Sequence, residues 1–359
     1  MTTTSNAYIA ATATLTAPLY SAQDAVEVFY PQERVPRKAY KMARLLGKHV
    51  EIQNRAMVID ISAFPEKHLS SSEHTPKNWG MALLEQVSGS IDMSDIGFVS
   101  LAYNVTSHKD VLPNLACQIA MEAGLELDEM PVELPYYGCA SGIFAISNAV
   151  EYCQTHDRAA FVYVFDQCTW FSNPIHEVDD LNFKSCLRSH LLFSDGGVGL
   201  LVIPEPMRDK YSDPLIKVLD VDKKFRLGNV ITMEKEAFLV GDGVSETMPA
   251  LTAELSIKPL LQRHELKPAT VTEWCIHQGG IPVLEAFKED NILGLSESQI
   301  ERSKALFRQY GNFSSPSCLY VLDSFLKDDR KNGAPEQAYG LITGFGAGYY
   351  LASLLYQWD

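Results

Sequence analysis

Short apolar runs of strand length alternate along this chain with longer segments that carry apolar residues at helical spacing. Runs that are almost wholly apolar and bounded by polar turns are typical of strands buried on both faces of a sheet. Strands are predicted at Ile96–Val105, Val132–Tyr137, Ala160–Phe165, Val198–Ile203 and Gly340–Thr343. Helices are predicted at Leu115–Ala123, Ser141–Gln154, Leu251–His264, Ile281–Lys288 and Ser317–Lys327. This alternation predicts an α/β protein with a largely buried sheet.

A turn-rich stretch interrupts the alternation near the middle of the chain. Proline and aspartate cluster in Ile203–Pro214, and such clusters mark loops and junctions. We therefore predict two parts, residues 1–205 and residues 206–359. No repeat at the level of sequence relates the two parts, and 359 residues suffice for a substantial core.

The acidic charge and the lack of long apolar runs narrow the classes of function. The formal net charge is −15, and a surface of that sign repels the phosphates of nucleic acids. No run approaches the roughly 18 consecutive apolar residues of a membrane span. The N-terminal stretch lacks the basic start and apolar centre of a signal peptide. We expect a protein that binds no nucleic acid and does not cross a membrane.

The cysteines argue against a disulfide framework or a zinc site. There are seven, an odd number, and none forms a C-x-x-C pair. Free thiols are typical of a reducing compartment, so we expect a cytoplasmic protein without a bound metal. Most of the cysteines should be small core residues, with one or two left for chemistry.

One segment of this acidic chain is basic, from Arg34 to Lys48. This segment is interpreted either as the solvated face of an amphipathic helix or as a positively charged collar that binds a phosphate-bearing carrier such as coenzyme A. The sequence leaves both interpretations open.

A cysteine stands where an apolar strand turns into an apolar helix, within Tyr136–Val150. Gly138 permits a tight turn, Cys139 follows, and small residues after it let the helix pack deeply. A helix N-terminus presents free N–H groups and a positive dipole, which favour a thiolate. Cys139 is therefore a candidate nucleophile, and the alternative is a packed core cysteine.

Two polar residues at turns are candidates to assist Cys139. His277 follows a short apolar run, at a strand end where side chains project into a crevice, and is a candidate base or hydrogen-bond donor. Asn312 precedes an apolar helix, where an ordinary N-cap is the alternative. The alternating glycines of Gly344–Gly348 allow close approach of the backbone to a ligand. No βαβ unit follows them, which argues against a dinucleotide-binding motif.

Four motifs, in this order, resemble those of the thiolase-fold condensing enzymes, and most closely the ketoacyl synthase III family and the type III polyketide synthases. They are GCASG at Gly138–Gly142, HQGG at His277–Gly280, YGNFSSPSCLYVLD at Tyr310–Asp323 and GFGAG at Gly344–Gly348. LLFSDGGVG at Leu191–Gly199 is similar to the segment that ends the first half of these enzymes. The resemblance implies a thiolase-like fold of two similar halves in a five-layered αβαβα arrangement. Residues 1–205 would carry the nucleophile, and residues 206–359 the histidine and asparagine.

The resemblance also implies a role for individual residues. Cys139 would accept an acyl group from a thioester. His277 and Asn312 would donate hydrogen bonds to the carbonyl of an extender thioester as it loses carbon dioxide. The amide of Cys139 and one from Gly346 or Ala347 would form the oxyanion hole.

The resemblance implies substrates and partners as well. Phe193 would be a substrate-contacting aromatic gate between the entrance and the cavity. The substrates would be acyl thioesters of coenzyme A or of the phosphopantetheine of an acyl carrier protein. The resemblance implies no cofactor beyond these substrates, and it implies a homodimer.

Two features depart from the family pattern. Leu112 occupies the position before a proline where some relatives carry a glutamate, which puts an intersubunit glutamate base in doubt. Gln167–Phe183 is rich in aromatic and acidic residues and matches no family motif. It reads either as part of the acyl pocket or as a surface loop at a dimer interface.

Three functions are compatible with these motifs. The first is a β-ketoacyl synthase III-like enzyme that loads an acyl group on Cys139 and then performs a decarboxylative Claisen condensation, in polyketide or fatty-acid-like biosynthesis. The second is an acyltransferase of the same fold that forms an ester or amide; such members commonly lack the His or Asn that is present here. The third is a non-catalytic partner subunit, which would usually lack the cysteine. The first function is therefore favoured.

Overall fold

The computed structural model describes residues 5–89, 91–234, 237–333 and 337–359. Its strands are β1 (Ala7–Thr16), β2 (Leu19–Ser21), β3 (Asn54–Ala56), β4 (Ile96–Tyr103), β5 (Val132–Pro135), β6 (Ala159–Gln167), β7 (Asp195–Pro204), β8 (Ile216–Phe225), β9 (Ile231–Glu234), β10 (Ala237–Val240), β11 (Val271–Ile276), β12 (Tyr339–Phe345) and β13 (Tyr350–Trp358). Its α-helices are α1 (Ala22–Phe29), α2 (Arg37–His49), α3 (Pro76–Val87), α4 (Leu115–Ala123), α5 (Ser141–Cys153), α6 (Phe183–Leu192), α7 (Val244–Thr252), α8 (Lys258–Arg263), α9 (Ile281–Ala286), α10 (Glu297–Tyr310) and α11 (Ser317–Asn332).

One mixed sheet runs through the molecule, in the order β11–β12–β13–β8–β1–β7–β6–β4–β5. In its first half, β4 is parallel to β6, and the pairs β6–β7 and β7–β1 are antiparallel. In its second half, β11 is parallel to β12, and the pairs β12–β13 and β13–β8 are antiparallel. The same pattern therefore occurs twice, and β1 pairs with β8 where the halves meet. The turn-rich stretch Ile203–Pro214 lies at the change from β7 to β8.

Two central helices lie between the halves of the sheet. α5 packs against β4, β6 and β7 of the first half and against β12 and β13 of the second, while α11 packs against β1, β11 and β12. A Cβ on Gly142 of α5 would lie 3.1 Å from Leu319 Cδ1 of α11, so the small residues do permit deep packing. α3 covers β1 and β7 from outside, and α8 and α10 cover β8, β13 and β11. This is the α/β, five-layered αβαβα arrangement of a thiolase-like fold.

The predicted elements are present, with differences that have physical causes. β4 ends at Tyr103, two residues earlier than predicted, because the amides of Asn104 and Val105 turn to the Asp166 carboxylate. The predicted helix Leu251–His264 is part of a longer run, in which a π-helical turn joins α7 to α8. The apolar pattern does not predict β13, since its residues directly follow the glycine loop.

Within the described residues, no helix combines the length and the apolar character required to cross a lipid bilayer.

Candidate active site

Cys139 lies in the 3-10 turn Gly138–Ala140, which runs directly into α5. β5 ends at Pro135, and the chain reverses through Tyr136 and Gly138, which have φ values of 68° and 63°. The turn buries Cys139, whose residual exposure is 8%. The cysteine therefore occupies the predicted place, at the entrance to a central helix.

The closing glycine loop lies against this turn. A Cβ on Gly346 would lie 2.2 Å from Cys139 N, and one on Gly138 would lie 2.7 Å from Ala347 N. Such distances exclude a side chain at either glycine without a backbone shift. The N–H groups of Cys139 and Ala347 are thus neighbours, and neither donates to another of the described residues, although the Cys139 N–H interacts with its own sulfur. The alternative donor, Gly346, gives its N–H to Tyr350 O at 3.1 Å, so Cys139 and Ala347 are the free pair.

The Cys139 thiol is held in its neutral form. Burial raises its pKa to about 12, while a hydrogen bond with the Ser314 hydroxyl, at 3.5 Å, lowers it. The helix N-terminus, which the sequence predicts to favour a thiolate, is therefore opposed by desolvation. A proton must leave the sulfur as it attacks a substrate.

Asn312 has a fixed side-chain orientation. Its amide oxygen accepts hydrogen bonds from Ser314 N at 2.7 Å and from Ser317 Oγ at 3.0 Å. Both partners donate, which assigns the oxygen to that side of the amide. Nδ2 makes no hydrogen bond within the described part of the chain, so the NH2 group is available as a donor. Ser314 links this asparagine directly to Cys139.

His277 follows β11 and is 3% exposed. Its backbone N–H donates to Thr343 O at 2.9 Å, and the Phe345 ring packs edge-on against the imidazole with centroids 5.2 Å apart. Burial lowers the pKa of His277 to about 3, so the ring is neutral at physiological pH. Its Nδ1 atom is buried without a partner among the described residues.

The end of β12 brings His277 and Cys139 to one place. His277 is bonded to Thr343, and a Cβ on the next residue, Gly344, would lie 3.1 Å from Cys139 O. Ser314 and its hydrogen bonds connect Asn312 to the same cysteine. The fold thus brings the backbones of these three residues near one another from distant parts of the chain, while neither His277 nor Asn312 is among the residues that line the cavity beside the sulfur.

Behind the cysteine lies a buried carboxylate that sequence reasoning missed. Asp166, at the end of β6, accepts hydrogen bonds from Asn104 N, Val105 N and Ser315 N at 2.7, 2.7 and 2.9 Å. Asn104 Nδ2 in turn donates to Gly138 O at 3.1 Å. Burial raises the pKa of Asp166, and these hydrogen bonds lower it. The only sequence signal was an acid at the end of an apolar run.

A cavity of about 160 Å³ opens beside the sulfur. Cys139, Ser314, Ala347, Phe193 and Phe238 are among the residues that line it. The rings of Phe193 and Phe238 lie 5.0 Å apart between centroids. Phe193 therefore lines the cavity. Its partner Phe238 was missed because a four-residue apolar strand carries no distinctive pattern.

A second pocket, of about 520 Å³, which we call the outer pocket, has no lining residue in common with this cavity. Leu192, Arg188, His49 and the pair Gly279–Gly280 are among its lining residues. Leu192, which lines the outer pocket, directly precedes Phe193, which lines the cavity. The gate role that the resemblance implies for Phe193 stays a prediction.

The basic segment forms one face of α2. Arg37, Lys41, Arg44 and Lys48 line a groove of about 630 Å³ and follow helical spacing; we call them the basic stripe. No carboxylate in the described residues forms an ion pair with any of the four. A pocket of about 290 Å³ shares Leu45 with this groove and His49 with the outer pocket. The basic stripe is thus connected along α2, through this pocket, to the outer pocket.

The unmatched segment Gln167–Phe183 divides into two parts. Cys168, Trp170 and Phe171 pack in the apolar cluster of Phe193 and Phe238. The residues from Asn173 to Asn182 lie mostly at the surface, and Leu181 is 99% exposed. The first part therefore supports the wall of the reaction cavity, and the second is a surface loop.

Comparisons with known proteins show what this chain and its fold are similar to. The C-terminal domain of chalcone and stilbene synthases matches residues 245–357. A putative chalcone synthase of Bacillus subtilis is 27% identical over 62% of this chain and 60% of its own length. The alpha-pyrone synthesis polyketide synthase-like Pks18 of Mycobacterium tuberculosis is 24% identical over 90% of this chain and 82% of its own. The crystal structure of PKS-I from the brown alga Ectocarpus siliculosus superposes with a TM-score of 0.81 at 18% identity, covering 99% of both chains.

Proposed function

We propose that this chain is a thiolase-fold condensing enzyme similar to the type III polyketide synthases, and hence a C–C bond-forming acyltransferase. In this proposal Cys139 is loaded with an acyl group, which is then extended by decarboxylative Claisen condensation. The extender would be a malonyl- or β-ketoacyl-thioester, and the pathway would be polyketide biosynthesis. The observation that carries the proposal is a buried thiol beside the N–H groups of Cys139 and Ala347. Ser314 joins Asn312 to that thiol, and the backbone of His277 is bonded to the strand end that lies against it.

Acyl transfer uses the thiol, the imidazole and the free amides. The Cys139 sulfur attacks the thioester carbonyl carbon, and its proton becomes strongly acidic as the carbon–sulfur bond forms. The His277 ring, although burial lowers its pKa to about 3, can accept the proton at that stage. The N–H groups of Cys139 and Ala347 stabilise the oxyanion, at roughly 3 kcal/mol for a single donor. The carbon–sulfur bond to the carrier then breaks, the carrier leaves as a thiol after taking up a proton, and Cys139 carries the acyl group.

Decarboxylation uses the two neutral donors. As the extender loses carbon dioxide, the electron pair of the breaking C–C bond moves towards its thioester oxygen. The Asn312 NH2 group and an imidazole N–H of His277 stabilise that enolate. The carbanion attacks the acyl carbon on Cys139, a new C–C bond forms, and the Cys139 sulfur leaves and is protonated again.

The carrier would bind through its phosphates. The basic stripe is a local positive surface in a chain of net charge −15, and phosphates bind such surfaces. Coenzyme A and the phosphopantetheine arm of an acyl carrier protein share this chemistry. The 160 Å³ cavity, about five water volumes, receives the acyl group.

We propose a homodimer in a reducing, cytoplasmic compartment. The seven cysteines are unpaired, which suits such a compartment. Exposed apolar side chains gather around α4 and the edge strand β5, where a second copy would cover them: Val111, Leu112, Met121, Met130 and Tyr136.

Intact-protein mass spectrometry tests the proposal. Incubation with a panel of acyl-CoA thioesters should give a covalent acyl adduct that is lost in Cys139→Ala. Addition of malonyl-CoA should then release carbon dioxide and a β-keto product. Transfer of the acyl group to an alcohol or amine without carbon dioxide would indicate the ester- or amide-forming acyltransferase instead, and absence of any adduct would overturn both.

A further inference from the structure

Arg55 is a buried cation that takes no part in the chemistry described so far. It lies in β3 and is 2% exposed. Its Nε donates to Ser194 Oγ at 3.3 Å, and its Nη1 donates to His190 O. Burial lowers its pKa to about 10, and the Asp195 carboxylate counters that effect, so the guanidinium is charged at neutral pH. A buried charge of this kind is costly unless its partners are well placed.

The two partners of Arg55 stand on either side of Phe193. His190 lies in the last turn of α6, and Ser194 directly precedes β7. The guanidinium therefore ties the end of the helix to the start of the strand across the aromatic residue. Ser194 Oγ also accepts Ala56 N–H at 3.1 Å, which joins the same point to β3.

The segment that Arg55 holds is paired with Asn312. Asn312 N–H donates to Leu192 O at 2.8 Å, and Ser194 N–H donates to Asn312 O at 2.8 Å, which makes a parallel bridge between Phe193 and Asn312. Ser194 Oγ donates to Tyr310 O at 2.5 Å, two residues before the asparagine. A displacement of Leu192–Ser194 would therefore displace the backbone of Asn312.

We propose that Arg55 is a positioning residue: it holds Leu192–Ser194 so that Asn312 and Phe193 keep their places beside the reaction cavity. The inference rests on the proposed function, in which the Asn312 NH2 group supports decarboxylation. Cys139 is held separately, by the turn before α5 and by the glycine loop. Loss of Arg55 should therefore slow decarboxylation more than acyl transfer.

The variants Arg55→Met and Arg55→Lys test this difference, with Arg158→Met as the matched control. Arg158 also donates to backbone carbonyls, of Ser94, Ile96 and Glu126, but at the far end of the sheet. The acylated fraction is measured by intact mass, and carbon dioxide release from malonyl-CoA is divided by that fraction. We expect Arg55→Met to decarboxylate at least about tenfold more slowly per acylated enzyme, since small misplacements cost up to about 100-fold.

The conservative and control variants separate positioning from stability. Arg55→Lys should fall between wild type and Arg55→Met, while Arg158→Met should lose stability and keep the wild-type rate per acylated enzyme. A wild-type rate in Arg55→Met, or an equal loss of acylation and decarboxylation, overturns the inference. If Arg55→Met does not fold, Ser194→Ala is measured instead, because it removes the hydroxyl oxygen that accepts the Arg55 hydrogen bond. A slower decarboxylation rate per acylated enzyme in Ser194→Ala supports the inference, and an unchanged rate overturns it.

Hydrogen exchange gives a readout that does not depend on catalysis. The amides of Ser194 and Asn312 form the bridge, and peptides covering residues 190–195 and 309–314 report on them. We expect faster exchange of both peptides in Arg55→Lys, and unchanged exchange would overturn the inference. If the wild type forms no acyl adduct, the proposed function fails, while this measurement still decides whether Arg55 holds the segment.

Discussion

The Ser314 hydroxyl lies 3.5 Å from the Cys139 sulfur, and Ser314 holds a left-handed backbone conformation with φ of 63°. The amide oxygen of Asn312 secures this conformation by accepting the Ser314 N–H. Cys139, Ser314 and Asn312 are thus coupled, and a change in one should alter the reactivity of another.

Removal of this hydroxyl should slow acyl transfer. In Ser314→Ala the sulfur loses the hydrogen bond that lowers its pKa, so the acylation rate should fall and its pH profile should move to higher pH. A hydrogen bond to a charged group contributes about 1.5–3 kcal/mol, which corresponds to roughly a tenfold to hundredfold loss. Acylation reactions quenched at successive times at pH values from 6 to 10, and analysed by intact-protein mass spectrometry, give the acylation rate at each pH.

Ser141→Ala is the matched control for that experiment. Ser141 lies two residues after Cys139, is fully buried, and its Oγ has no partner among the described residues. It should acylate at close to the wild-type rate. Equal rates in Ser314→Ala and Ser141→Ala would show that the Ser314 hydroxyl does not act on the sulfur.

A side chain at Gly346 should block the site by contact alone. The residue has an ordinary extended backbone, so Gly346→Ala adds no φ strain, but the new Cβ would lie 2.2 Å from Cys139 N. The loop or the turn must shift, and we expect loss of the acyl adduct while the protein remains folded by circular dichroism. Gly89→Ala, whose Cβ meets nothing closer than 3.9 Å, should acylate normally. A normal adduct in Gly346→Ala would show that the glycine loop can shift without disturbing the N–H groups of Cys139 and Ala347.

Much of this site could be predicted from the sequence, because its main residues stand at the ends of elements. Cys139 and His277 each lie beside a glycine turn that follows an apolar run, and such positions converge at one edge of an α/β sheet. The choice between Gly346 and Ala347 could not be predicted, since it depends on where the Tyr350 carbonyl points. Asp166 was hidden for a similar reason: five hydrogen bonds reach it from elements far apart in sequence.

Acid should destabilise the fold through its buried neutral histidines. Burial lowers the pKa of both His277 and His190 to about 3, whereas the unfolded chain protonates histidine near pH 6.5. Below pH 6.5 the unfolded state binds protons that the folded state does not, so stability falls as the pH drops from 6.5 towards 3. Each histidine should contribute about 2 kcal/mol of loss at pH 5.

Urea unfolding of wild type and His277→Gln at pH 7.0 and 5.0 measures this contribution. The wild type should lose about 2 kcal/mol more than the variant between the two pH values, because the comparison cancels the groups that both proteins share. An identical pH dependence would indicate that His277 is protonated in the folded protein as readily as in the unfolded one.

Reversal of charge on the basic stripe should weaken carrier binding without touching the chemistry. Lys41 and Arg44 line the groove on α2 and form no ion pair within the described residues. The double variant Lys41→Glu/Arg44→Glu should therefore raise the KM for acyl-CoA by about tenfold at low salt. The increase should be smaller at high salt, because salt screens exposed charges. An acyl thioester of N-acetylcysteamine carries no phosphate and serves as the internal control, because its KM and kcat should not change. Equal losses with both substrates would show that the substitutions disturb α2 or the outer pocket. No loss with either would place the phosphates of the carrier elsewhere and leave the stripe as a solvated helix face.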